Sequence, residues 1–412
     1  MCRRFPVFSA ISLIVSIASF AVPPAQAPPR LVVSSALSEE EAGKVLSASD
    51  HMVWDRQTGA VVAEVPETNA SSLPEGLSAS PACSSPEAFS EALKATLPAF
   101  STEAGPNDRY VTKEPVALVK PAMATQRRER PSVERSAGQP EDVCLSENFE
   151  TTPIWYENGG LWWHYQGGQP GNAVGDYYWL DTDCDAYDGS WDCEAIMGGT
   201  YGNSLPCGST YDYNTDSWLE YAPWITCLAG APGAYLDFYG KVYTQTGLDY
   251  FYYLVSLNGQ DYLGYRISGN LYGTWYNYNQ NMRAWYFLGD LTVQPKLALA
   301  FAFQSGENIP QSFTGYGVRL DKISIVTTSL SISSVSKLGS PFRLSLTGGG
   351  FLPGAWVYIN GASVPGVSFK GPSNLKVKGG AALKAMLPLG QPVCITVVNP
   401  NGGTTPCYMY TR

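Results

Sequence analysis

Residues 234–244 read AYLDFYGKVYT, and the reading of the whole middle of the chain turns on them. The stretch is short, rich in aromatic and branched side chains, and followed by two more of its kind, DYFYYLVSL (249–257) and KLALAFAFQS (296–305). Turns containing Gly or Asn separate such runs. Strand-length segments recurring between turns predict strands rather than helices, and their repetition predicts an all-β sandwich from about 143 to 328. Across 141–330 there are 21 acidic and 6 basic residues, so the formal charge of -10 carried by the 412-residue chain resides in this part. Such acidity argues against a nucleic-acid partner.

Working outward, residues 1–27 open with Arg3 and Arg4, run through the apolar ISLIVSIASFA and close on Ala25-Gln26-Ala27. That is the pattern of a secretory signal peptide, and its apolar core is too short to span a bilayer. No later segment supplies the roughly 20 apolar residues of a spanning helix. Export leaves eight cysteines, and an even count in an exported chain predicts disulfides. Cys394 and Cys407 flank the turn Asn399–Gly403 at similar distances, so a hairpin would set them opposite each other. Cys184 and Cys193 are expected to close a short loop, and a Cys83–Cys144 pair would tether the segment between them. The remaining pairing is left open. Zinc is a poor alternative, since there is no CxxC pair and the chain has two histidines, His51 and His164.

Four further segments follow from composition. Residues 28–80 predict a small α+β module: LVVSSA is strand-like, SEEEAGKVLSA helical with Ser38 as N-cap, MVWDRQTGAVVAEV a hairpin around Gln57-Thr58-Gly59, and Glu67 to Leu77 a second short helix. Residues 81–142 are rich in Pro, Ser, Ala and charge, including QRRERPSVER at 126–135, and read as a largely disordered linker. Residues 143–328 are the β-rich domain, and 329–412 a second, smaller β-sandwich with hairpin turns at Asn360-Gly361 and Asn401-Gly402. The expected fold class is thus mainly β, a jelly-roll sandwich plus a C-terminal immunoglobulin-like sandwich, preceded by the small α+β module.

Three resemblances sharpen this. SISSVSKLGSPFRLSLTGGGFLPGAWVYING (331–361) with CITVVNPNGG (394–403) resembles the IPT/TIG immunoglobulin-like domains, which implies a spacer or interaction module. SENFETTPIWY (146–156), DSWLEYAPWITCLAGAPGAYLDFYGKVY (216–243) with YFYYLVSLNGQ (250–260), and GVRLDKISI (317–325) resemble the MAM-like jelly rolls that accompany secreted peptidases such as immune inhibitor A. That resemblance implies a structural cation held by Glu150 and Asp321. The strand, helix, hairpin, helix order of 28–80 resembles small peptidase propeptides, a likeness of topology alone.

The candidate site residues fall in two groups. DTDCDAYDGSWDCE (181–194) places Asp181, Asp183 and Asp185 at the alternate spacing that begins many calcium loops, with Asp188 and Asp192 available to complete a cage. It departs from an EF-hand at Ala186, where glycine is expected, and at Asp192, where glutamate is expected. Calcium binding and a solvated, disulfide-closed loop are the two readings. The second group is aromatic: Trp162, Trp163, Tyr178 and Trp179 are candidates for stacking on sugar rings, against the simpler reading of a sandwich core. No HExxH helix, GxSxG elbow or phosphate-binding glycine loop is present. The expected function is therefore secreted, non-catalytic extracellular binding or adhesion towards a glycan or protein, with calcium as the expected cofactor. The alternatives are a jelly-roll glycan-cleaving enzyme built on two carboxylates and a purely structural surface component.

Overall fold

The computed structural model describes residues 30–34, 36–66, 69, 73–74, 77, 80–81, 86–97, 100, 109–119, 143–169, 172–271, 274–306, 315–328, 330–339, 341–351, 354–364, 366–371, 373–399 and 404–412. The expected signal peptide, Cys83, the basic run at 126–135 and most of 67–77 lie outside them.

The chain is mainly β. At its start, the helix Glu39–Ala48 is set by a capping box: the Ser38 hydroxyl accepts from the Glu41 N–H, and the Glu41 carboxylate accepts from the Ser38 N–H at 2.9 Å. The hairpin around 57–59 forms between His51–Asp55 and Ala60–Val65. A further helix lies at Pro86–Thr96, inside the stretch read as linker. That reading needs a second correction. Residues Tyr110–Val119 form a ten-residue strand, paired with His51–Asp55 on one side and along its length with Asp261–Gly269 on the other. Averaged over 81–142, Pro and charge concealed one strand-length run, YVTKEPVALV.

The consequence is architectural. One sheet of ten strands runs, in spatial order, Ser80–Pro81, Arg30–Ser34, Ala60–Val65, His51–Asp55, Tyr110–Val119, Asp261–Gly269, Tyr250–Ser256, Ala298–Gln304, Asp216–Tyr221 and Trp162–Gln166. The N-terminal module and the β-rich domain therefore share a sheet, and one core runs from Val32 and Val45 through Phe238 and Phe301 to Ile325. Facing it is a second sheet in the order Tyr276–Asn281, Gly233–Tyr243, Gly317–Thr328, Asp192–Gly198 and Tyr178–Thr182, with Val143–Glu147 beside Gly317–Thr328. Between the sheets the Phe238 ring meets Phe301 and Tyr253 edge-on, at centroid distances of 5.2 and 5.4 Å. Such pairs contribute about 0.5–1.5 kcal/mol beyond burial.

Residues 330–412 build two four-stranded sheets around a separate core that includes Leu344, Phe351, Val357, Ile395 and Val397. Asn360 and Gly361 turn with φ of 48° and 80°, as a tight hairpin demands. Cys394 and Cys407 are bonded, as the hairpin spacing predicts.

The other bridges differ from expectation. Cys184 pairs with Cys207, and Cys144 with Cys227 rather than Cys83. Cys193 cannot reach Cys184, because it lies on the strand Asp192–Gly198 with its side chain in the inter-sheet core, fully buried and unpaired. Burial pushes its thiol well above the usual range, which makes it an unreactive core residue.

Candidate ligand-binding face

The acidic loop is fastened to the outside of the smaller sheet, and two carboxylates do the fastening. The inner oxygen of Asp321 accepts from the backbone N–H groups of Tyr187 and Asp188, both at 2.9 Å. Glu150 accepts from those of Ser190 and Trp191 at 2.6 and 2.7 Å. The pair linked by the family resemblance thus meets at one loop, through protein donors. The five aspartates do not converge. Asp181 accepts from the Trp155 indole at 2.7 Å, Asp185 faces Lys241 at 2.5 Å and Arg319 at 3.5 Å, and Asp188 faces Lys322 at 2.8 Å. Asp192 is buried and accepts from Thr182. Among the described residues, Asp183, Cys184 and Cys207 are the single trio of ligand-type groups close enough to share an ion, and two of them form a disulfide. Calcium takes six to eight oxygens, and four of the five aspartates are instead engaged by protein donors or cations, Arg319 lying beside both Asp185 and Asp192.

What the loop delivers is an aromatic ring. Tyr187, 42% exposed, stacks on Tyr239 with centroids 3.6 Å apart and meets Trp275 edge-on at 6.2 Å. The hydrogen bond between the two tyrosines, reinforced by desolvation, pushes the Tyr239 phenol up to about 12. Beside this platform the alternation of two neighbouring strands presents polar groups. Tyr235, Asp237 and Tyr239 face outward opposite Asn281, Asn279 and Asn277. Asp237 accepts from the Asn277 and Asn279 amides at 2.8 and 2.7 Å, which orients both. A carboxylate accepts only, so the amide nitrogens must point towards it.

The N-terminal helix closes one side of this face. Gly43 sits against the ring of Tyr276, and Ser47 donates to the backbone carbonyl of Asn277 at 2.6 Å. The helix thereby covers the free edge of the strand Tyr276–Asn281, where unpaired backbone groups would otherwise be exposed. A groove of about 680 Å³ results, lined by the helix, Tyr235, Trp275 and the outward asparagines.

Behind the loop lies a buried charge cluster. Asp192 and Glu194, two residues apart on one strand, flank Arg319, which reaches Glu194 at 3.0 Å. Burial raises Asp192 to about 6 and Glu194 to about 8. Two carboxylates sharing one guanidinium in a dry site favour holding a proton.

The aromatic candidates are corrected by burial. Trp162 and Trp179 are 1% and 0% exposed and pack in the inter-sheet core; Trp163 and Tyr178 are also buried, Trp163 in a second cluster with Tyr165, Trp218 and Tyr252. Trp162 and Trp179 fill the space between the sheets, whereas strand alternation turns Trp163 to the opposite face of the larger sheet, where its own aromatic cluster buries it. His164 is also structural, stacked on Trp155 with its ring nitrogens 2.7 Å from the Trp179 carbonyl and 2.8 Å from Glu157. Of the residues that do line the face, Asp237, Tyr239, Asn277 and Asn279, the two asparagines carried a signal in the sequence. YNYNQN alternates aromatic and amide side chains with the two-residue period of a half-buried strand.

No family profile matches this chain, and no curated protein does. Among solved structures, the K1 cleaved adhesin domain of Lys-gingipain from Porphyromonas gingivalis W83 is 18% identical with a TM-score of 0.28, covering 44% of this chain and 96% of its own. A family 11 carbohydrate-binding module from Clostridium thermocellum, solved with a mixed-linked tetrasaccharide, gives 11% identity and 0.26 over 45% and 94%. A family 30 module of a cellulosomal cellulase from the same organism gives 12% and 0.25 over 40% and 90%. TM-scores this low establish neither family nor function for the chain.

Proposed function

We propose that this is an exported, non-catalytic protein that binds glycan on the outer face of its smaller sheet. The observation that carries the reading is the platform of Tyr187, Tyr239 and Trp275 beside oriented Asp237, Asn277 and Asn279. Aromatic rings stack on the apolar faces of pyranoses, and fixed amides and carboxylates bond the hydroxyls. Export is supported by the signal-like N-terminus and by three disulfides, which persist in oxidising compartments. No helix of the described residues is long and apolar enough to cross a membrane. The C-terminal sandwich, on its resemblance to IPT/TIG domains, serves as a spacer or interaction module.

The test is calorimetric titration of oligosaccharides into the full chain and into Tyr239→Ala. Binding weakened by about tenfold or more in the variant supports the reading. A parent chain that binds no neutral, acidic or basic oligosaccharide refutes it.

A further inference from the structure

We infer that the ligand of this face is an uncharged glycan chain lying along the strand Tyr276–Asn281, and that the helix Glu39–Ala48 is a permanent wall of its binding site. The inference rests on the glycan-binding reading and adds the ligand's charge class and the second half of the site.

The wall is built into the fold. The helix belongs to a module whose strands continue the ten-stranded sheet, so removing the module as a propeptide would expose the edge of Tyr110–Val119 and open the common core. Polar ties cross the same junction: Lys113 donates to the Leu46 carbonyl at 2.8 Å and to Gln280 at 3.3 Å, and Tyr265 donates to Asp50 at 2.8 Å. Arg56 reaches over to the Asn270 carbonyl at 2.7 Å. Lys113, Tyr265 and Asp50, buried and bonded to one another's segments, belong to an assembled interior.

The direction of the chain follows from the asparagines. Asn277, Asn279 and Asn281 project from one strand face at intervals of two residues, which at about 3.4 Å per residue spans about 14 Å. Trp275 stands at one end of this row, and Tyr235 flanks the other. A linear chain laid along the row meets the Asn277 and Asn279 amides, with the helix beside it and Asn281, held by Asn69 and the Arg283 N–H, at its end.

The charge class follows from what lines the groove. Glu39 and Glu40 are the acids of the helix wall, Glu39 paired with Arg56 at 2.5 Å, and Asp237 lies beside the groove on the sheet face. Among the described lining residues the one cation is Lys44, and it is engaged by Glu40 at 2.6 Å. Recognition of a carboxylate or sulfate calls for forked or clustered Arg and Lys. A uronate or sulfated polymer would find the one lining cation already paired, whereas hydroxyls meet amides and acceptors suited to them.

The experiment titrates three probes into the full chain: a neutral mixed-linked glucan oligosaccharide, an oligogalacturonate and a chitosan oligosaccharide. Each is run at low and high salt, and repeated with Tyr239→Ala and with the double variant Glu40→Ala, Lys44→Ala. The double variant alters two exposed side chains, and an unchanged melting temperature confirms that it folds. Expected are binding of the neutral probe that salt leaves unchanged, loss on Tyr239→Ala, and a weakening of about fivefold in the double variant. Neutral binding that the double variant leaves intact removes the helix wall while the glycan site stands. Preference for oligogalacturonate, or for chitosan in a salt-dependent manner, overturns the charge class and again leaves the site standing. Failure of all three probes on the parent chain overturns the reading and the inference together.

Discussion

Gly43 is where the N-terminal helix touches the smaller sheet, and Gly43→Ala tests that contact with a sign that simple helix energetics gets wrong. In an isolated helix the change is favourable by about 1 kcal/mol, because glycine costs backbone entropy. Here a Cβ would lie 2.6 Å from two ring carbons of Tyr276, about 1 Å inside the usual carbon–carbon contact. Neither partner yields easily. The Tyr276 ring is buried on a strand paired along its length with Gly233–Tyr243, and the helix is fixed by Ser47 at Asn277 and by Lys113 at Leu46. Overpacking of this kind costs about 1–3 kcal/mol, so after the helix gain the substitution is expected to destabilise by about 1 kcal/mol net, within a range of about 0–2. Urea unfolding followed by tryptophan fluorescence reports the right unit, since ten of the 11 tryptophans precede residue 330. In a Tyr276→Ala background the clash disappears and the same substitution should stabilise, giving a coupling of about 2 kcal/mol. A Gly43→Ala protein as stable as the parent, with no coupling to Tyr276, would refute the docking of the helix on this strand.

Three further outcomes follow from the loop, the buried acids and the bridges. Asp321→Asn weakens acceptance from the Tyr187 and Asp188 N–H groups and should cost about 1–3 kcal/mol; glycan affinity should fall with it, and an unchanged affinity would separate the loop from the binding face. Glu194, raised to about 8 from 4.5, and Asp192, raised to about 6 from 3.8, both take up protons on folding. Their contribution is therefore fully present below about pH 4 and is lost as pH rises through 6 and 8, at up to about 1.4 kcal/mol per pH unit for each proton. Glu194→Gln should flatten the upper part of that decline in melting experiments, and a slope unchanged by it would exclude Glu194 as the source. Finally, serine replacement of Cys144 and Cys227, 83 residues apart, should cost about 1 kcal/mol more than replacement of Cys184 and Cys207, 23 apart, on the chain-entropy account. Equal losses in urea would rule that account out for this protein.

Much of the architecture was legible in local pattern. The capping box at Ser38 and Glu41, the hairpin at 57–59, the strands of 143–328 and the Cys394–Cys407 pair all depend on neighbours close along the chain, where propensity and turn chemistry act directly. Composition likewise gave the acidity of the middle domain. Pairings across long separations were not legible. The strand Tyr110–Val119 looks like part of a polar linker until Asp261–Gly269 supplies its partner more than a hundred residues later. Cys184 and Cys193 are near in sequence, yet strand alternation turns Cys193 into the core and leaves Cys184 free to meet Cys207.

The site shows the same division. DTDCDAYDGSWDCE announces a loop crowded with carboxylates, but whether those groups converge on one point depends on which cations and donors the fold brings beside each of them. Lys241, Arg319, Lys322 and Trp155 come from three other segments and draw them apart. Aromatic content likewise marks a sandwich without saying which rings face outward. By itself the sequence determined the β class, the charge and the local turns, because those follow from each residue and its near neighbours. The tertiary structure alone decided that Trp162 and Trp179 are core, that Tyr187 and Tyr239 form a surface platform, and that the N-terminal helix walls it, because burial is a property of the assembled sheets.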